Sequence, residues 1–317
     1  MLEGFQRSHP GLIRLIPEQQ VVLRKTAKAK SLVALLSGGG SGHEPAHAGY
    51  VGTGMLDAAV CGNVFASPNP EQIQTALLEL KNEPGILMVI KNYSGDIMNF
   101  ELAAEMAAEE GVKVDKVVVN DDVALSGRDK AEWRRGIAGT VFVHKIAGAA
   151  AEKGMDLAAV KAVAEKAVAN MGTMGAALTP CIVPAAGKPG FSLGDDEMEM
   201  GLGIHGEAGS RKTGIMTADA IVKEIYEKIK ADVGLKGGEK VATLVNGLGG
   251  TPPMELYIMA RSLGKLLDAD YMKVDYQLIG NYMTSLEMAG ASITVMKLDD
   301  ELSSLLAAPA QTPAFVQ

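Results

Sequence analysis

The stretch ALLSGGGSGHEP, residues 34–45, constrains the possible fold more than any other part of the chain. An apolar run over residues 32–36 ends abruptly in glycines and serines, which predicts a buried strand that enters a glycine loop. Glycines let backbone N–H groups approach a ligand closely, because no Cβ stands in the way. The loop then brings the imidazole of His43 and the carboxylate of Glu44 to the carboxyl end of a strand, where open α/β sheets bind ligands.

The spacing within this stretch excludes the common nucleotide-binding loops. A Walker loop carries Lys and then Ser or Thr directly after its last glycine, whereas Gly42 is followed by His43 and Glu44. The dinucleotide pattern G-x-G-x-x-G also fails, because position 43 is not glycine. The alternative of a tight turn with a surface histidine is weaker, since one short loop combines several small residues with an acid–base pair.

Composition favours a two-domain α/β protein and argues against several classes of binding protein. The 317 residues fit two domains better than one, and 47% hydrophobic residues suffice for a sizeable core. That core must be aliphatic, because only 4% of the residues are aromatic. The net charge of -8, with no Lys/Arg stripe, argues against direct binding to nucleic acid or to an anionic membrane surface.

Cysteine usage and hydropathy set further limits. Cys61 and Cys181 are the only cysteines and no CxxC pair exists, so neither a zinc site of paired cysteines nor a disulfide framework is expected. No metal site is predicted on this chain. No signal peptide is visible, and no uncharged apolar run approaches the ~18 residues of a membrane span. We therefore expect a soluble cytoplasmic protein.

Alternating strands and helices predict a first α/β domain, residues 1–174, with a largely parallel sheet flanked by helices. The sequence Asn69–Gln72 has the form of a helix start, with an Asn cap and Pro at the first helical position. The other predicted elements are a strand at 86–90, a helix at about 99–110, a strand at 117–119 and two helices within 132–171 that break near Gly154. His144, on an apolar helix face, is expected to be a satisfied core histidine.

Residues 175–317 predict a second, smaller α/β domain with a mixed sheet. Apolar residues alternate with polar residues or glycines from Met198 to Ile204, which predicts a strand with one buried face. His205 would then point to the opposite, glycine-lined face. The remaining predicted elements are a helix from Thr217 to Gly234, strands at 241–245, 274–278 and 293–298, and a helix at 254–267. The Ala/Pro/Gln-rich tail is expected to pack loosely.

Three places in the chain supply candidate site residues, which are Gly40 with His43, Lys91 with Asp96, and His205. Chemically, Asp96 suits a general base toward a hydroxyl, His43 an acid or base, and His205 a nucleophile or orienting group. Taken singly, each has an ordinary structural explanation: Lys91 as a solvated residue and Asp96 as a turn residue. Ser67 is a further candidate that could simply lead into the next helix.

Four segments of the chain resemble those of a known family. They are LSGGGSGHEPAHAGYVGTGMLDAAVCGNVFASPNPEQI, IKNYSGDIMNFE, VPAAGKP and GLGIHGEAG. These segments closely resemble the substrate-binding K subunit of the phosphotransferase-dependent dihydroxyacetone kinases. The resemblance covers essentially the whole chain, and its motifs are specific.

The resemblance implies a chemistry for the candidate residues. In that family the substrate carbonyl is captured covalently as a hemiaminal on a histidine, which matches His205 of GIHGE. The histidine of GHEP and the aspartate of SGD match His43 and Asp96, the family's acid–base pair. The substrate contacts implied are Gly40, Ser41, Gly42, His43, Ser67, Lys91, Asp96 and His205. Carbonyl addition selects short ketones and aldehydes and excludes glycerol, which has no carbonyl group.

The resemblance also implies partners and an overall reaction. The expected activity is that of a phosphoenolpyruvate–glycerone phosphotransferase, with dihydroxyacetone phosphate as product. The chain looks like the substrate half only, since it has no Walker loop and no H-R-D or D-F-G motif. No cofactor is expected on this chain; ADP and magnesium would lie on a partner L subunit, which a phosphohistidine-carrying M subunit recharges. A homodimer is expected.

Two departures from the family pattern and two alternatives remain at this point. Ala208 stands where the family usually has proline in GEPG, and the chain starts later than family members usually do, so it is expected to be trimmed.

A paralogue that binds dihydroxyacetone as a sensor and co-activates a transcriptional regulator is the main alternative. Retention of His43, Lys91 and Asp96 beside His205 favours the enzyme. An unrelated carbohydrate-binding module is the third possibility.

Overall fold

The computed structural model describes residues 1–317 and contains two six-stranded sheets flanked by helices. The largest apolar cluster takes residues from both sheets, so the two α/β units share a continuous core. The fold class predicted from the sequence is confirmed, with a largely parallel first sheet and a mixed second sheet.

The first sheet contains the strands β1 (Ile13–Ile16), β2 (Val21–Arg24), β3 (Ala34–Ser41), β4 (Ala58–Val64), β5 (Ile86–Lys91) and β6 (Val114–Val119). Their order is β1-β2-β4-β3-β5-β6. Strands β4, β3, β5 and β6 run parallel, whereas β2 pairs antiparallel with both β1 and β4. The carboxyl ends of the four parallel strands therefore share one edge of the sheet. The sequence reading missed β1, β2 and β4.

Helices cover both faces of this sheet. They are α1 (Leu2–Ser8), α2 (Pro70–Glu79), α3 (Ser94–Glu109), α4 (Thr140–Glu152) and α5 (Leu157–Ala169). α2 and α3 pack on one face, and α4 and α5 on the other. The start of α2 is confirmed: Gln72 N donates to the side chain of Asn69 at 2.9 Å, and Asn69 N donates to the side chain of Gln72 at 3.0 Å. α4 ends just before Gly154 and α5 begins shortly after it, as predicted.

The second sheet contains the strands β7 (Met171–Ala177), β8 (Glu197–Met200), β9 (Arg211–Gly214), β10 (Lys240–Gly247), β11 (Lys273–Gly280) and β12 (Gly290–Leu298). Their order is β11-β10-β12-β7-β8-β9. Only β10 and β11 pair in parallel; the other neighbours are antiparallel. This mixture of directions is the mixed sheet that the sequence predicted.

Three further helices complete the second unit: α6 (Ala218–Val233), α7 (Pro253–Ala269) and α8 (Asp300–Leu306). α6 begins and ends as predicted, because the hydroxyl of Thr217 accepts from Ala220 N at 3.3 Å and Gly234 adopts the left-handed conformation, with φ 71°. α6 and α7 cover one face of the sheet. No helix in the chain has the length and apolar character that a bilayer crossing requires.

The junction between the two units does not coincide with residues 174 and 175. That position lies within β7, which pairs with β12 from Met171 to Ala177. Because a strand that is hydrogen-bonded along its length belongs to one sheet, the change of sheet comes before Met171.

The prediction of a loosely packed tail is wrong. Residues 299–317 return to the first unit, where Leu306 and Phe315 are buried in the shared core. Lys145 of α4 donates to the carbonyls of Leu305 and Ala308 at 3.0 and 2.6 Å, which satisfies the carboxyl end of α8. Composition alone could not show this, because the contacts that hold the tail come from α4 and from residues 49–53, far away in the sequence.

Candidate active site

The residues expected at the site lie together at the carboxyl edge of the first sheet. Gly40 and Ser41 end β3, Gly42 and His43 follow it, Ser67 follows β4, and Lys91 ends β5. Asp96 lies in the first turn of α3, and His205 reaches the same place from the second unit. Parallel topology therefore supplies most of the site, and the second unit supplies one histidine.

The glycine run is a strand and not a loop, which corrects the sequence interpretation. β3 continues through Ser41, pairing with β4 as far as Val64. A Cβ on Gly38 would lie 2.4 Å from the carbonyl oxygen of Val60, and one on Gly40 would lie 2.7 Å from the amide of Ala66. The glycines are therefore required by the close approach of β4 and of the residues that follow it. The local sequence does not reveal this approach.

Lys91 and Asp96 form a buried ion pair. The Nζ atom of Lys91 is fully buried, has no hydrogen-bond partner in the protein, and lies 3.6 Å from Oδ2 of Asp96. The hydroxyl of Ser67 donates a short hydrogen bond to Oδ1 of Asp96. α3 begins at Ser94, earlier than predicted, so Asp96 is a first-turn residue whose negative charge the helix N-terminus stabilises. The arrangement presents a carboxylate with one neutral donor and one cation beside it.

His43 is a neutral histidine with one free ring nitrogen. Its Nδ1 lies 2.8 Å from the carbonyl oxygen of Thr284, and since a carbonyl only accepts, we assign the proton to Nδ1. Nε2 is buried, carries the lone pair and has no partner in the protein. Burial, followed by the charges of Lys91 and His205, holds the pKa of His43 well below its ordinary value. His43 can therefore accept a hydrogen bond through Nε2 at neutral pH.

The loop that carries His205 differs from the predicted strand. β8 ends at Met200, and Gly201 and Gly206 turn the chain with φ values of 74° and 81°. The apolar residues of the predicted alternation are buried as expected. Glu199 is buried too, and its carboxylate offsets the cost of burial by accepting a hydrogen bond from Gly209 N at 2.6 Å. Residues 201–209 thus form a closed loop, called here the 201–209 loop.

Glu207 anchors the ring of His205. Oε1 of Glu207 lies 2.7 Å from Nδ1 of His205, and Oε2 accepts from the backbone N–H of the same histidine at 3.0 Å. Burial alone would raise the pKa of Glu207, but the hydrogen bond and charge of His205 outweigh it and bring that pKa to about 2. With Nδ1–H directed at a carboxylate, Nε2 is the ring nitrogen left for chemistry. The His205 side chain is 18% exposed, so it is reachable, whereas Lys91 is fully buried.

Three rings surround the imidazole of His205. Its centroid lies 4.6 Å from that of Tyr93, 4.8 Å from that of His43 and 5.2 Å from that of Phe65, each nearly edge to face. The sequence reading did not single out Phe65 or Tyr93. Phe65 has φ 57°, in the left-handed region that bulky residues rarely adopt. The scarcity of aromatics, and the place of these two just after parallel strands, was the signal available in the sequence.

A segment of the second unit fixes the residues that follow β3. Leu286 N donates to the carbonyl oxygen of Gly42 at 2.8 Å, and Thr284 N donates to that of His43 at 3.2 Å. The hydroxyl of Thr284 also donates to the carbonyl oxygen of Glu44 at 2.8 Å. The site is therefore built where the two units meet, and neither unit forms it alone. No group of three or more His, Cys, Asp or Glu residues is arranged to hold a metal ion.

His144, predicted to be a satisfied core histidine, is buried but only half satisfied. Its Nε2 lies 2.9 Å from Nδ1 of His47, and its Nδ1 has no partner in the protein. Burial, with the charge of Lys91 acting in the same direction, lowers the pKa of His47 and His144, the latter to about 3. Together with His43, these residues place three neutral imidazoles in the core near the site.

We expect these histidines to make the stability of the fold depend on pH. In the unfolded chain each titrates near 6.5. Below that pH the unfolded chain binds protons that the folded chain does not, so stability falls by about 1.4 kcal/mol per pH unit for each histidine. Urea unfolding between pH 7.5 and 5 should show this fall. In His144→Leu the slope of the unfolding free energy against pH should decrease by the contribution of one proton, about 1.4 kcal/mol per pH unit. An unchanged slope in that variant would contradict a neutral His144.

Comparisons with known proteins identify relatives over nearly the whole chain. A family model described as the Dak1 domain matches residues 3–314. The "PTS-dependent dihydroxyacetone kinase 1, dihydroxyacetone-binding subunit DhaK" of Listeria innocua is 50% identical over 301 residues, which cover 95% of this chain and 91% of that protein.

Two solved structures are also similar to this chain. The "Dihydroxyacetone kinase operon co-activator Dha-DhaQ" has a TM-score of 0.95 at 35% identity, covering 100% of this chain and 98% of the other. The dihydroxyacetone kinase from C. freundii, solved in complex with AMP-PNP and Mg2+, has a TM-score of 0.91 at 37% identity. The match covers 99% of this chain and 58% of that enzyme.

Proposed function

The chain belongs to the Dak1 domain family, and on that premise we propose that it is the dihydroxyacetone-binding subunit of a dihydroxyacetone kinase. It captures the substrate carbonyl as a covalent hemiaminal on His205. It then presents a substrate hydroxyl for phosphoryl transfer from an ADP-carrying L subunit, which gives dihydroxyacetone phosphate. The phosphoryl group reaches the L subunit through an M subunit, and the chain acts as a homodimer.

The observation that carries the proposal is the anchored, reachable imidazole of His205. Its Nδ1 is held 2.7 Å from Glu207, so Nε2 faces away from that carboxylate and carries the lone pair when the ring is neutral. The surrounding rings hold the imidazole edge to face and restrict its rotation. A nucleophile fixed in this way has little conformational freedom left to lose on reaction, which favours addition to a bound carbonyl.

The proposed addition conserves protons. Nε2 of His205 forms a bond to the carbonyl carbon while the C=O double bond becomes a C–O single bond. The oxygen takes up one proton from solvent, and the Nδ1 proton of the ring passes to the carboxylate of Glu207 and from there to solvent, so the proton count is unchanged overall. Glycerol cannot take this route, because it has no carbonyl carbon to attack.

The ion pair on β5 and α3 supports the second half of the proposal. Asp96 acts as general base toward the hydroxyl that receives the phosphoryl group. Lys91, whose Nζ lies 3.6 Å from Oδ2 of Asp96, balances the charge of the carboxylate and offers its unused N–H groups to the substrate oxygens. His43 supplies a neutral acceptor through Nε2, and Ser67 with the backbone of Gly40, Ser41 and Gly42 completes the contact set.

The packing of β3 supports placing the nucleotide on another subunit. A phosphate loop needs open space beside its glycines, but a Cβ on Gly39 would already lie 2.8 Å from Nζ of Lys91. The residues of this chain therefore do not fit a nucleotide at the glycine run. The C. freundii kinase solved with AMP-PNP and Mg2+ is longer than this chain, which covers 58% of it. ADP and magnesium accordingly belong to the L subunit in this proposal.

We expect the purified chain to have no kinase activity with ATP. Adding a cognate L subunit and its phosphoryl source should restore the conversion of dihydroxyacetone to its phosphate, followed by a coupled assay of the product. Glycerol in place of dihydroxyacetone is the control and should give no product. ATP-dependent turnover by the isolated chain would refute the proposed division of labour.

A second candidate function is that of a dihydroxyacetone-sensing co-activator. It is favoured by the TM-score of 0.95 to the co-activator structure, which the match covers to 98%. A sensor needs only substrate capture, whereas this chain also keeps the buried Lys91–Asp96 pair and the free Nε2 of His43. The same reconstitution separates the two functions, because a sensor would bind dihydroxyacetone without turnover whichever L subunit is added.

A further inference from the structure

Arg135 joins the first unit to the 201–209 loop. Its guanidinium is 9% exposed and bonds the carboxylate of Asp122, with Nε and Nη2 at 2.7 and 2.6 Å from Oδ2. Asp122 follows β6, and its other carboxylate oxygen accepts from Ala124 N at 2.9 Å. The carboxylate is therefore held by the segment that follows β6, and it keeps the guanidinium in a defined orientation.

The two terminal nitrogens of the same guanidinium bond both ends of the 201–209 loop. Nη2 donates to the carbonyl oxygen of Gly201 at 2.6 Å, and Nη1 donates to those of Ala208 and Glu207 at 3.3 and 3.5 Å. Every hydrogen bond between this loop and residues 1–170 has Arg135 as its donor. The other hydrogen bonds of the loop run within it or to its own sheet, so Arg135 provides its direct hydrogen-bond link to the first unit.

The loop is packed closely around this cation. A Cβ on Gly203 would lie 2.1 Å from Oε2 of Glu207 and 2.7 Å from Nη1 of Arg135. The carboxylate that orients His205 and the guanidinium that holds the loop therefore meet on the same side of Gly203. A shift of the loop away from Arg135 would move Glu207 and His205 together.

From this arrangement we propose that Arg135, held by Asp122, is a positioning residue that keeps His205 in register with the groups of the first unit. This inference rests on the proposed function. His205 comes from the second unit, while Asp96, Lys91 and His43 come from the first, so one substrate can meet all of them only if the loop is fixed between the units. A misplacement of about 1 Å costs a well-oriented reaction roughly 10²-fold. Arg135 acts through His205 and does not itself touch the substrate.

Arg134 provides a matched control. It is the preceding residue, is 3% exposed, and pairs with Asp232 of α6, so it also makes a buried ion pair between the units. The other hydrogen bond of its side chain, at 3.0 Å, is to the carbonyl oxygen of Ser126. Arg134 makes no hydrogen bond to the 201–209 loop, so Arg134→Met should destabilise the fold without disturbing His205.

The test compares Arg135→Met, Asp122→Asn and Arg134→Met with the natural chain by two measurements. Amide hydrogen exchange reports the mobility of residues 201–209 without any substrate. Titration with dihydroxyacetone labelled with 13C at the carbonyl carbon reports, by NMR, the conversion of that carbon to a tetrahedral one. We expect Arg135→Met to accelerate exchange in the loop and to weaken adduct formation by at least tenfold. Asp122→Asn should act in the same direction to a smaller extent, and remains informative if Arg135→Met does not fold.

The outcomes separate this inference from the proposed function. Faster loop exchange in Arg135→Met, with no adduct on the natural chain, would support the positioning of the loop and refute covalent capture. The inference would be overturned if Arg135→Met and Arg134→Met showed the same hydrogen exchange in the loop and the same adduct affinity, whatever the stability of the two variants.

Discussion

Replacing His205 by alanine is expected to abolish the covalent adduct with dihydroxyacetone. The ring anchored by Glu207 at 2.7 Å is the reachable nucleophile in the site, whereas His43 is fully buried. On the natural chain, the labelled carbonyl carbon should become tetrahedral at saturating substrate, and electron density after soaking should show a single C–N bond to His205. In His205→Ala neither signal should appear. Turnover in the reconstituted system should fall to background, because the substrate is no longer held.

The controls for this experiment separate chemistry from folding. His144→Ala removes a buried imidazole that lies on α4 and should retain the adduct. Glycerol should give no adduct on any variant. If His205 had only a structural role, its replacement would lower the unfolding temperature and no adduct would be seen on the natural chain. An adduct on another residue, or none on the well-folded natural chain, would refute capture by His205.

The elements that the sequence predicted correctly are those fixed by local chemistry. The capping box of Asn69 and Gln72 and the left-handed Gly234 depend on residues a few positions apart, so they are visible in the sequence. The prediction of a loop after Leu36 is wrong, because the glycines there are required by the close approach of Val60 in β4 and of Ala66 just after it. The strand predicted through Ile204 ends early for a related reason, since Gly201 accepts a hydrogen bond from Arg135 and donates one to the carbonyl oxygen of Gly175 in β7.

The site follows the same division. Residues at the ends of parallel strands, such as His43 and Lys91, could be expected to converge, because topology alone brings those ends together. Thr284 and Arg135 could not be found in this way. Their contacts exist only after the second unit packs on the first, and no spacing in the sequence encodes that packing.

Replacing Asp96 by asparagine is expected to retain substrate binding and to lower turnover by ~10²–10⁴-fold, the usual contribution of a general base. The amide can still accept the hydrogen bond from Ser67, but it cannot take the proton of the attacking hydroxyl. The measurements are kcat in the reconstituted system and adduct affinity by NMR. A kcat within a few-fold of the natural value would remove Asp96 from the mechanism.

A second variant distinguishes the base from the counter-charge. Asp96→Asn leaves the buried ammonium of Lys91 without its carboxylate, and breaking such a pair costs about 3–5 kcal/mol of stability. Low turnover could then reflect a disturbed fold. In the double variant Asp96→Asn/Lys91→Met no charge is left unpaired, so stability should recover in urea unfolding. Turnover should stay low, because no carboxylate is present to accept the proton and the proposed contact of Lys91 with the substrate is missing as well. Recovery of turnover together with stability would show that Asp96 serves only to balance the charge of Lys91.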